Sequence, residues 1–549
     1  MKPSVRSLFI HSWLALGATA LLGAAAVAGD ASTSTAELKV APGPFQANQE
    51  SLKSHQCPEW FRDAKFGIWS HWGPQCVPED GDWYARRLYL SGKPKDRSGV
   101  PEFLPDTAPD RGNKLHVERY GHPSKVGYKD IIPLWKAEKW DPEKLMDLYT
   151  KAGAKYFVSM AVHHDNFDLW DSKYQPRWNA VQTGPKRDVV GDWQRAAKKR
   201  GLPFGVSEHL GASFTWFQVN KGADLAGPMA GVPYDGNDPL YQDLYHPRTA
   251  PDDREWLTKN PAFQATWFRR VQDLVDRYHP ELLYSDSKFP FGEVGAKLVA
   301  HYYNSNTVFN RGKLTAVYTC KEDPKPTGWI RDIERGVMEA ASPEPWQTDT
   351  SIGDWYYRKG ETYKTATQII QMLIDIVSKN GNLLINVVQK ADGEITPEAR
   401  AALEQMAAWM AINGESIYAT RPWQVYGEGP AVEEKPEAGR HGGAKDVRSK
   451  PYVAQDLRFT RSKDGKTVFA LALGWPEGSL TLKSLRPTKP GSNAMVRLLG
   501  EKKPLRYRVN TTGALEVDFP ATAPCGHAYA LKFTGFEFAP VPLAAASAK

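Results

Sequence analysis

Ionisable residues follow several short apolar segments of this sequence, at the point where each segment ends. His71, the pair His163-His164, Glu208 and Asp286 all stand in such positions. Carboxylates can serve as nucleophile, acid or base, and imidazoles can hydrogen-bond hydroxyl groups. The aromatic residues that lie between or beside them are Trp72, Trp83, Tyr84 and Trp170. Carboxylates, imidazoles and flat aromatic faces together are what the hydrolysis of a glycosidic bond requires.

Short β-strands are predicted directly before these residues. The candidate strands are rich in β-forming residues and bounded by turn signals, and they span residues 66–70, 156–162, 204–207, 282–285, 316–319 and 383–387. Patterns with helical spacing alternate with them, at residues 188–200, 263–278, 364–379 and 397–412. Repeated strand–helix units predict an α/β fold with a parallel sheet, and their number favours a (β/α)8-like, TIM-type barrel. Because the active site of such a barrel lies at the carboxyl ends of its strands, the ionisable residues should converge there.

The sequence loses its helical periodicity after about residue 424. Residues 428–450 are rich in Gly, Glu and Lys and are predicted to form a linker or long loop. Short alternating segments follow, at residues 467–473, 479–482, 494–498, 515–519 and 528–533. Successive strands without helices predict an antiparallel β-sandwich. We therefore expect a flexible segment at residues 29–50, a catalytic barrel at 51–423, and a C-terminal β-sandwich domain, with the linker at its start, at 424–549.

The N-terminus has the pattern of a signal peptide. Lys2 and Arg6 precede an apolar stretch at residues 8–22, and an Ala-Val-Ala sequence ends at Ala28. A positive start, a short apolar middle and small residues before a cleavage site are typical of exported proteins. We predict a signal peptide at residues 1–28, cleavage after Ala28, and a secreted or periplasmic protein. An uncleaved membrane anchor is the alternative, and no other stretch is long and apolar enough to cross a membrane.

Composition excludes some classes of protein. The net charge of +7 is spread along the 549 residues, so no basic arm for nucleic acid is indicated, although an anionic glycan partner stays open. The 19 tryptophans fit either a carbohydrate site or a large aromatic core. No glycine-rich phosphate fingerprint occurs. The four cysteines are too widely spaced for a zinc site or a dense disulfide framework, and their pairing is not determined: Cys57, Cys76, Cys320 and Cys525.

Five motifs occur in order between residues 57 and 423. They are Phe61-Arg62-Asp63-Ala64-Lys65-Phe66-Gly67-Ile68 with His71-Trp72-Gly73, Tyr156-Phe157-Val158 with His163-His164-Asp165 and Leu169-Trp170-Asp171-Ser172, Gly184-Pro185-Lys186-Arg187-Asp188, Gly381-Asn382-Leu383-Leu384-Ile385-Asn386, and Gly414-Glu415-Ser416-Ile417-Tyr418. Their order resembles that of glycoside hydrolase family 29, the α-L-fucosidases. The resemblance implies an exo-acting, retaining hydrolase that releases terminal α-L-fucose from fucosylated oligosaccharides or polysaccharides. It also implies that neither a metal nor another cofactor is used.

Asp286 is the nucleophile that the resemblance implies. The nucleophile of the family is an aspartate two residues after an aromatic residue at a strand end, and Tyr284-Ser285-Asp286 fits this position. An aspartate that caps the following helix is the alternative. Double displacement through a covalent fucosyl-enzyme requires a second carboxyl group roughly 5–5.5 Å away.

Glu334 is the predicted acid/base. It precedes Trp346 by 12 residues, a spacing that resembles that of the family's acid/base glutamate. Glu339 is the second candidate, and a solvated charge in a loop is the alternative for Glu334. Burial or the proximity of Asp286 should raise the pKa of the acid/base so that it is protonated at working pH.

His71, His163 and His164 match residues of the family that hydrogen-bond the hydroxyl groups of fucose. Because two consecutive residues of a regular strand face opposite sides, a bulge or turn must aim His163 and His164 at one site. A metal site is the alternative for the three histidines.

The remaining substrate-binding assignments depart from the family pattern. Asp82 stands where the family usually has Glu, next to Trp83, and Tyr284 stands where it often has Trp. The predicted set also contains Glu208, which lies in a stretch that departs from the family's tyrosine-rich segment and could compete for a catalytic role. Arg311 matches the family only loosely, and Trp355 could pack near the site or equally be structural.

Two other functions fit the same residues. A catalytically decayed barrel would bind fucose without turnover, and a related retaining glycosidase would act on a galacto-configured sugar. Fucose is a 6-deoxy sugar whose methyl group needs an apolar slot, and the sequence does not reveal one. It also carries no sign of the oligomeric state.

Overall fold

The computed structural model describes residues 38–324 and 328–541. The predicted signal peptide, with its cleavage point at Ala28, lies outside the described residues. Within them, no helix combines the length and the apolar character that a membrane span needs. All four cysteines are described and all four are free thiols.

Eight parallel strands form a closed barrel. They are β1 Phe66–Ser70, β2 Tyr156–Val162, β3 Phe204–Glu208, β4 Leu282–Ser285, β5 Val317–Cys320, β6 Ile330–Glu334, β7 Trp346–Ser351 and β8 Gly381–Asn386. Each strand pairs with the next, and β8 pairs with β1, with Phe66 opposite Leu383. The barrel that the sequence predicted is confirmed.

Helices cover the outside of the barrel. Those of six or more residues are α1 Glu59–Ala64, α2 Arg111–Tyr120, α3 Pro142–Lys151, α4 Val189–Lys199, α5 Pro261–Tyr278, α6 Glu293–Phe309, α7 Ala366–Ser378 and α8 Pro397–Asn413. Side-chain caps fix several of their starts: Asp188 accepts from the backbone N–H of Gly191 before α4, and Thr365 accepts from that of Gln368 before α7. With helices outside and side chains packed inside, the strands are buried on both faces.

The C-terminal region forms two antiparallel sheets. The strands are β9 Thr420–Glu428, β10 Leu457–Ser462, β11 Thr467–Ala472, β12 Ser479–Leu482, β13 Pro487–Leu498, β14 Tyr507–Val509, β15 Leu515–Asp518 and β16 Tyr529–Phe538. The first sheet has the order β9-β10-β11-β16-β13 and the second has the order β12-β15-β14. Apolar side chains of both sheets, among them Phe459, Leu482, Val517 and Phe533, form one buried cluster between them. This confirms the predicted β-sandwich, while the division at residues 423/424 stays a prediction.

Part of the predicted linker lies against the barrel. Ala444–Lys445 pairs antiparallel with Gly336–Val337, directly after β6. Asp446 accepts a hydrogen bond from Thr350 at 2.7 Å, and its carboxylate lies 3.3 Å from the ammonium of Lys364. The segment is therefore anchored beside the carboxyl end of β6.

Candidate active site

A cavity of about 970 Å³ opens at the carboxyl ends of the barrel strands. The side chains of eight predicted site residues line it: His71, Asp82, Trp83, His163, His164, Asp286, Glu334 and Trp355. Tyr284 lies directly beneath, and the structure does not bring Glu208 or Arg311 to the cavity. The convergence expected from the strand ends is therefore present for most of the set.

Asp286 follows β4 and is surrounded by hydrogen-bond donors. Its Oδ2 atom lies 3.1 Å from Nδ1 of His209 and 3.4 Å from Nε2 of His164, and its Oδ1 atom lies 2.5 Å from Nζ of Lys321. Burial by itself would raise the pKa of Asp286, but Lys321 and the histidines lower it well below its usual value. The carboxylate is therefore ionised at neutral pH, as a nucleophile must be.

Tyr284 and Asp349 lie beneath Asp286 and are connected to it by hydrogen bonds. The ring of Tyr284 is fully buried, and its hydroxyl lies 3.0 Å from Oδ1 of Asp286 and 3.2 Å from Oδ2 of Asp349. Burial and the neighbouring Asp332 raise the pKa of Asp349 well above its usual value. Because Asp349 is protonated and Asp286 is ionised, the single hydroxyl proton of Tyr284 favours Asp286, which is the stronger acceptor.

Lys321 links the two predicted catalytic carboxylates. Its Nζ atom is 2.5 Å from Oδ1 of Asp286 and 2.5 Å from Oε2 of Glu334. The two oxygens therefore lie no more than twice that distance apart, which is too close for the roughly 6.5–9.5 Å of an inverting glycosidase and on the side of the roughly 5–5.5 Å of a retaining one. The indole N–H of Trp355 donates to Oε1 of Glu334 at 3.3 Å. Lys321 was not among the predicted site residues, although it lies two residues after the strand predicted at residues 316–319 and directly after the observed β5.

The pKa of Glu334 differs from the sequence-based expectation. Burial would raise it, but Lys321 offsets this effect and the net shift is downward. The pKa of Lys321 lies well above its usual value because the carboxylates of Asp286 and Glu334 outweigh the effect of its burial. In the free enzyme one ammonium thus holds two carboxylates ionised, and the expectation of a raised pKa for the acid/base is wrong for this state.

The hydrogen-bond network fixes the orientation of His163. Oε1 of Gln75 accepts from the backbone N–H of Ala85 at 3.2 Å, so the amide nitrogen of Gln75 faces Nδ1 of His163 at 2.8 Å. Burial and the neighbouring histidines lower the pKa of His163 well below its usual value. The ring is neutral, with its proton on Nε2, which lies 4.0 Å from Oδ1 of Asp82. It can donate that proton to a ligand hydroxyl.

His164 enters the same cavity because β2 is irregular. The register between β2 and β3 shifts between Met160 and Val162, and the rings of His163 and His164 are 4.6 Å apart. Nδ1 of His164 donates to the carbonyl oxygen of His209 at 2.6 Å, which turns Nε2 towards Asp286. The bulge that the consecutive histidines required is present.

Two tryptophans form an aromatic wall at the opening. Trp83 has a left-handed backbone conformation, with φ of 63°, and precedes the short helix Tyr84–Arg87. Its ring stacks on that of Trp256, with centroids 5.9 Å apart and an interplanar angle of 23°. Next to it, burial and the nearby carboxylate of Asp354 raise the pKa of Asp82 well above its usual value. Asp82 can therefore donate as well as accept hydrogen bonds.

The structure places Glu208 and Arg311 outside the cavity, contrary to their predicted place in the substrate site. Glu208 points away from the cavity, where it accepts from the indole N–H of Trp267 at 3.1 Å, and burial raises its pKa to about 7. His209 faces the cavity instead, because successive residues at a strand end point to opposite sides. Arg311 is exposed in the turn between α6 and β5. Helix-to-strand turns lie at the amino-terminal end of a barrel, opposite the active site.

Two groups of side chains have donor atoms close enough to hold a metal ion. They are His71, His163 and His209, and His164, His209 and Asp286, with donor atoms within 4.8 Å of one another. Nδ1 of His163 already accepts from Gln75, and Asp286 already binds Lys321. A metal-free site stays a prediction.

A barrel whose strand ends present two close carboxylates, neutral imidazoles and a tryptophan wall defines a glycoside hydrolase. Comparison with known proteins narrows the class. The family model for alpha-L-fucosidase matches residues 32–415, and the model for the alpha-L-fucosidase C-terminal domain matches residues 450–534. The chain belongs to the α-L-fucosidase family, glycoside hydrolase family 29, and the resemblance seen in the motifs is confirmed.

Individual relatives agree over nearly the whole length. The chain is 27% identical to the tissue alpha-L-fucosidase of Rattus norvegicus over 508 residues, covering 90% of this chain and 94% of the rat protein. It is 28% identical to the plasma alpha-L-fucosidase of Homo sapiens, with coverage of 89% and 92%. The crystal structure of Thermotoga maritima alpha-fucosidase superposes with a TM-score of 0.66 at 26% identity, covering 89% of this chain and 100% of that one. A second structure of the Thermotoga maritima enzyme contains a mechanism-based inhibitor and has a TM-score of 0.65 at 26% identity.

Proposed function

We propose that this protein removes terminal α-L-fucose from fucosylated oligosaccharides or polysaccharides with retention of configuration, with Asp286 as nucleophile and Glu334 as acid/base. The observation that carries the proposal is the shared contact of both carboxylates with Lys321 inside the cavity. It brings the two groups within the separation that double displacement needs. No observation favours the alternatives of a decayed binding protein or a galacto-configured substrate.

The first step breaks the glycosidic bond. Asp286 attacks the anomeric carbon and forms a covalent ester, while Glu334 gives a proton to the departing oxygen. In the second step Glu334, now ionised, takes a proton from water, and the resulting hydroxide displaces Asp286 from the sugar. Each carboxylate therefore ends the cycle in the state in which it began.

Lys321 controls the charge of both groups. Before substrate binds, it stabilises Glu334 in the ionised form, which is the wrong form for the first step. A sugar that fills the space between the carboxylates removes water from Glu334, which favours its protonated form, while Lys321 stays with Asp286. Once Asp286 is esterified its charge is gone, so Lys321 then stabilises only the ionised Glu334 that the second step uses.

The imidazoles and the aromatic wall hold the sugar. His71 and His163 are buried and their pKa values lie well below the usual value, so both are neutral and can donate an N–H to a hydroxyl. Asp82, His164 and Trp83 complete the predicted contacts. Trp355 stacks on His71 with centroids 5.3 Å apart and lies against Glu334, which places it between substrate and acid/base.

The protein is proposed to act outside the cytoplasm. The signal-peptide pattern of residues 1–28 supports export, with cleavage after Ala28. Amino-terminal sequencing of the exported protein would test this, since a chain that begins at Gly29 is expected and a chain that begins at Met1 would refute cleavage.

Hydrolysis of an aryl α-L-fucoside, followed by proton NMR, tests the proposed function. We expect fucose to appear first as the α-anomer, because two displacements restore the original configuration. First appearance of the β-anomer would refute retention, and no release between about pH 4 and 8 would refute the activity. The same assay on the matching α-D-galactoside separates fucose from a galacto-configured sugar.

A further inference from the structure

Four cationic side chains line the mouth of the cavity without an acidic partner. They are Arg97, Lys288, Arg335 and Arg440. Among the residues that the structure describes, no carboxylate oxygen lies within 4.0 Å of their charged nitrogens. The other lysine and arginine side chains of the cavity are paired: Arg87 lies 3.0 Å from Asp80, Arg358 lies 3.5 Å from Asp354, and Lys321 contacts both Asp286 and Glu334. The mouth therefore carries four cations that no ion pair within the described residues neutralises.

Arg335 and Arg440 lie on the side of the acid/base. Arg335 directly follows Glu334, and its guanidinium lies over the ring of Trp355, 4.7 Å from the centroid. His441, next to Arg440, has Nδ1 at 3.7 Å from Oε2 of Glu334. Because the acid/base protonates the departing oxygen, these side chains face the part of the substrate that leaves.

Arg97 adds a charge to the aromatic wall on the same opening. Its guanidinium lies 5.7 Å from the centroid of Trp83 and 5.9 Å from that of Trp256. Burial lowers the pKa of His441, and the positive charges of Lys321, Arg440 and Arg97 lower it further. Arg97 and Arg440 line the same cavity, so one ligand that occupies it can meet both.

The segment that carries Arg440 is built into the cavity wall. Ala438 and Ala444 form an antiparallel bridge, and the N–H of Gly439 donates to the carbonyl oxygen of Gly443 at 2.8 Å. The resulting hairpin pairs with Gly336–Val337. A side chain at Gly443 would meet the carbonyl oxygen of Val337 at 2.4 Å, so the hairpin sits tightly on the barrel. Arg440 and His441 stand at its tip.

We propose that the leaving-group side of this site takes a sugar that carries an anionic substituent, a sulfate ester or a carboxylate, bound by Arg97, Arg335 and Arg440. The inference rests on the proposed fucosidase function and names its substrate class. Guanidinium groups bind both oxyanions through paired hydrogen bonds, and Trp256 offers an apolar face for the ring that carries them. Each exposed ion pair contributes roughly two- to fivefold in affinity, so at the lower end of this range three together give a preference of about tenfold.

Three matched disaccharides test the proposal: fucose α-linked, through the same position, to galactose, galactose 6-sulfate or galacturonic acid. We expect kcat/KM for at least one anionic substrate to exceed that for the neutral one by about tenfold at low salt. The two anionic arms separate sulfate from carboxylate. In about 1 M NaCl, where the Debye length falls to ~3 Å, the preference should shrink towards onefold.

Charge reversal at the mouth supplies the critical variants. The double variant Arg97→Glu/Arg440→Glu should invert the preference, and Arg97→Gln/Arg440→Gln should reduce it to roughly the twofold that Arg335 alone supplies, without introducing a new charge. Arg311→Glu changes the same charge at the far end of the barrel and should keep the wild-type preference. Equal kcat/KM of the wild type for all three disaccharides, or an undiminished preference in both double variants, would overturn the proposal.

Binding to the Asp286→Gly variant keeps this test separate from the proposed function. Titration calorimetry with the same disaccharides should show tighter binding of an anionic one whether or not the wild type turns it over. Failure of the wild type on every fucoside would refute the fucosidase function, whereas equal affinity of the three ligands for the variant would refute anion recognition.

Discussion

At the floor of the cavity, Nζ of Lys321 lies 2.5 Å from a carboxylate oxygen of Asp286 and 2.5 Å from one of Glu334. At its mouth, by contrast, Arg97 and Arg440 have no acidic partner among the described residues. The floor comes from strand ends that hydrogen bonds hold in place. The mouth comes from loops and from a hairpin beyond the barrel. The charged side chains at the floor, which serve one reaction, are thus paired with other side chains of the protein. Those at the mouth, which meet a variable part of the substrate, have no charged partner among the described residues.

The sharpest way to break the floor is Asp286→Gly. Without its nucleophile, the enzyme should lose at least about 10⁴-fold in kcat on an aryl α-L-fucoside. Added azide should restore turnover and give the β-fucosyl azide, because the small anion occupies the vacated space. The control is Asp106→Gly, an exposed aspartate with φ of 54°, which should leave kcat unchanged. Retained activity of Asp286→Gly would refute the assigned nucleophile.

Glu334→Gln tests the second carboxylate. We expect a loss of about 10²–10⁴-fold with a natural sugar leaving group, and a smaller loss with an activated aryl group that needs no proton. The alkaline limb of the pH profile should disappear at the same time. Glu339→Gln, at an exposed residue, is the control, and the reverse pattern in the two variants would move the acid/base role to Glu339.

Lys321→Met separates charge control from catalysis. Because Lys321 lowers the pKa values of both Asp286 and Glu334, its loss should raise both and move both limbs of the kcat/KM–pH profile upward by about 1–3 units. Below the shifted acid limb, activity should fall by roughly 10- to 100-fold. Lys288→Met removes an unpaired cation from the same cavity and should move neither limb. An unmoved profile in Lys321→Met would contradict this role.

Tyr284→Phe should have the smallest effect. It removes one hydrogen bond to the Asp286 carboxylate, and hydrogen bonds to charged groups are worth about 1.5–3 kcal/mol. Because Lys321, His164 and His209 still bind the carboxylate, we expect the lower end of this range, a fall in kcat of about tenfold. The KM of a neutral aryl fucoside should change little, because the ring lies beneath the cavity. A change confined to KM would show instead that Tyr284 contacts the sugar.

Much of the barrel could be predicted because most of its strands are short, apolar and bounded by turn-forming residues. The strands β1, β2 and β4 have the predicted bounds. The strands β6 and β7 were absent from the candidate strands because Asp332, Gln347 and Asp349 interrupt the apolar pattern. Inside the barrel these polar side chains satisfy one another, as when the Gln347 amide donates to Asp332 at 2.6 Å, and sequence periodicity carries no sign of such partners.

The site was predictable where a residue directly ends a strand, and less so elsewhere. Glu208 was predicted to face the site, but the side chain that does so is that of the next residue, His209, so the prediction of which side chains point inward was wrong by one residue. Arg311 was assigned through a loose match to the family, but the chain turns there at the opposite end of the barrel. Lys321 was missed because a single lysine after a strand has the sequence pattern of an ordinary surface charge, and its contacts with Asp286 and Glu334 exist only in the folded protein. The contact of His441 with Glu334 joins residues more than 100 positions apart and leaves no local signal.

The hairpin that ends in Arg440 and His441 makes the cavity a composite of chain segments with separate constraints. A barrel cut at residue 423 would retain Asp286 and Glu334 and lose one wall. Conversely, exchanging Arg440 and the other residues of 438–444, with His441 kept beside Glu334, would alter which glycans enter while leaving the surroundings of both carboxylates in place. Such an exchange would allow the substrate range to change, by engineering or in evolution, without altering the ion pairs of Lys321 with Asp286 and Glu334.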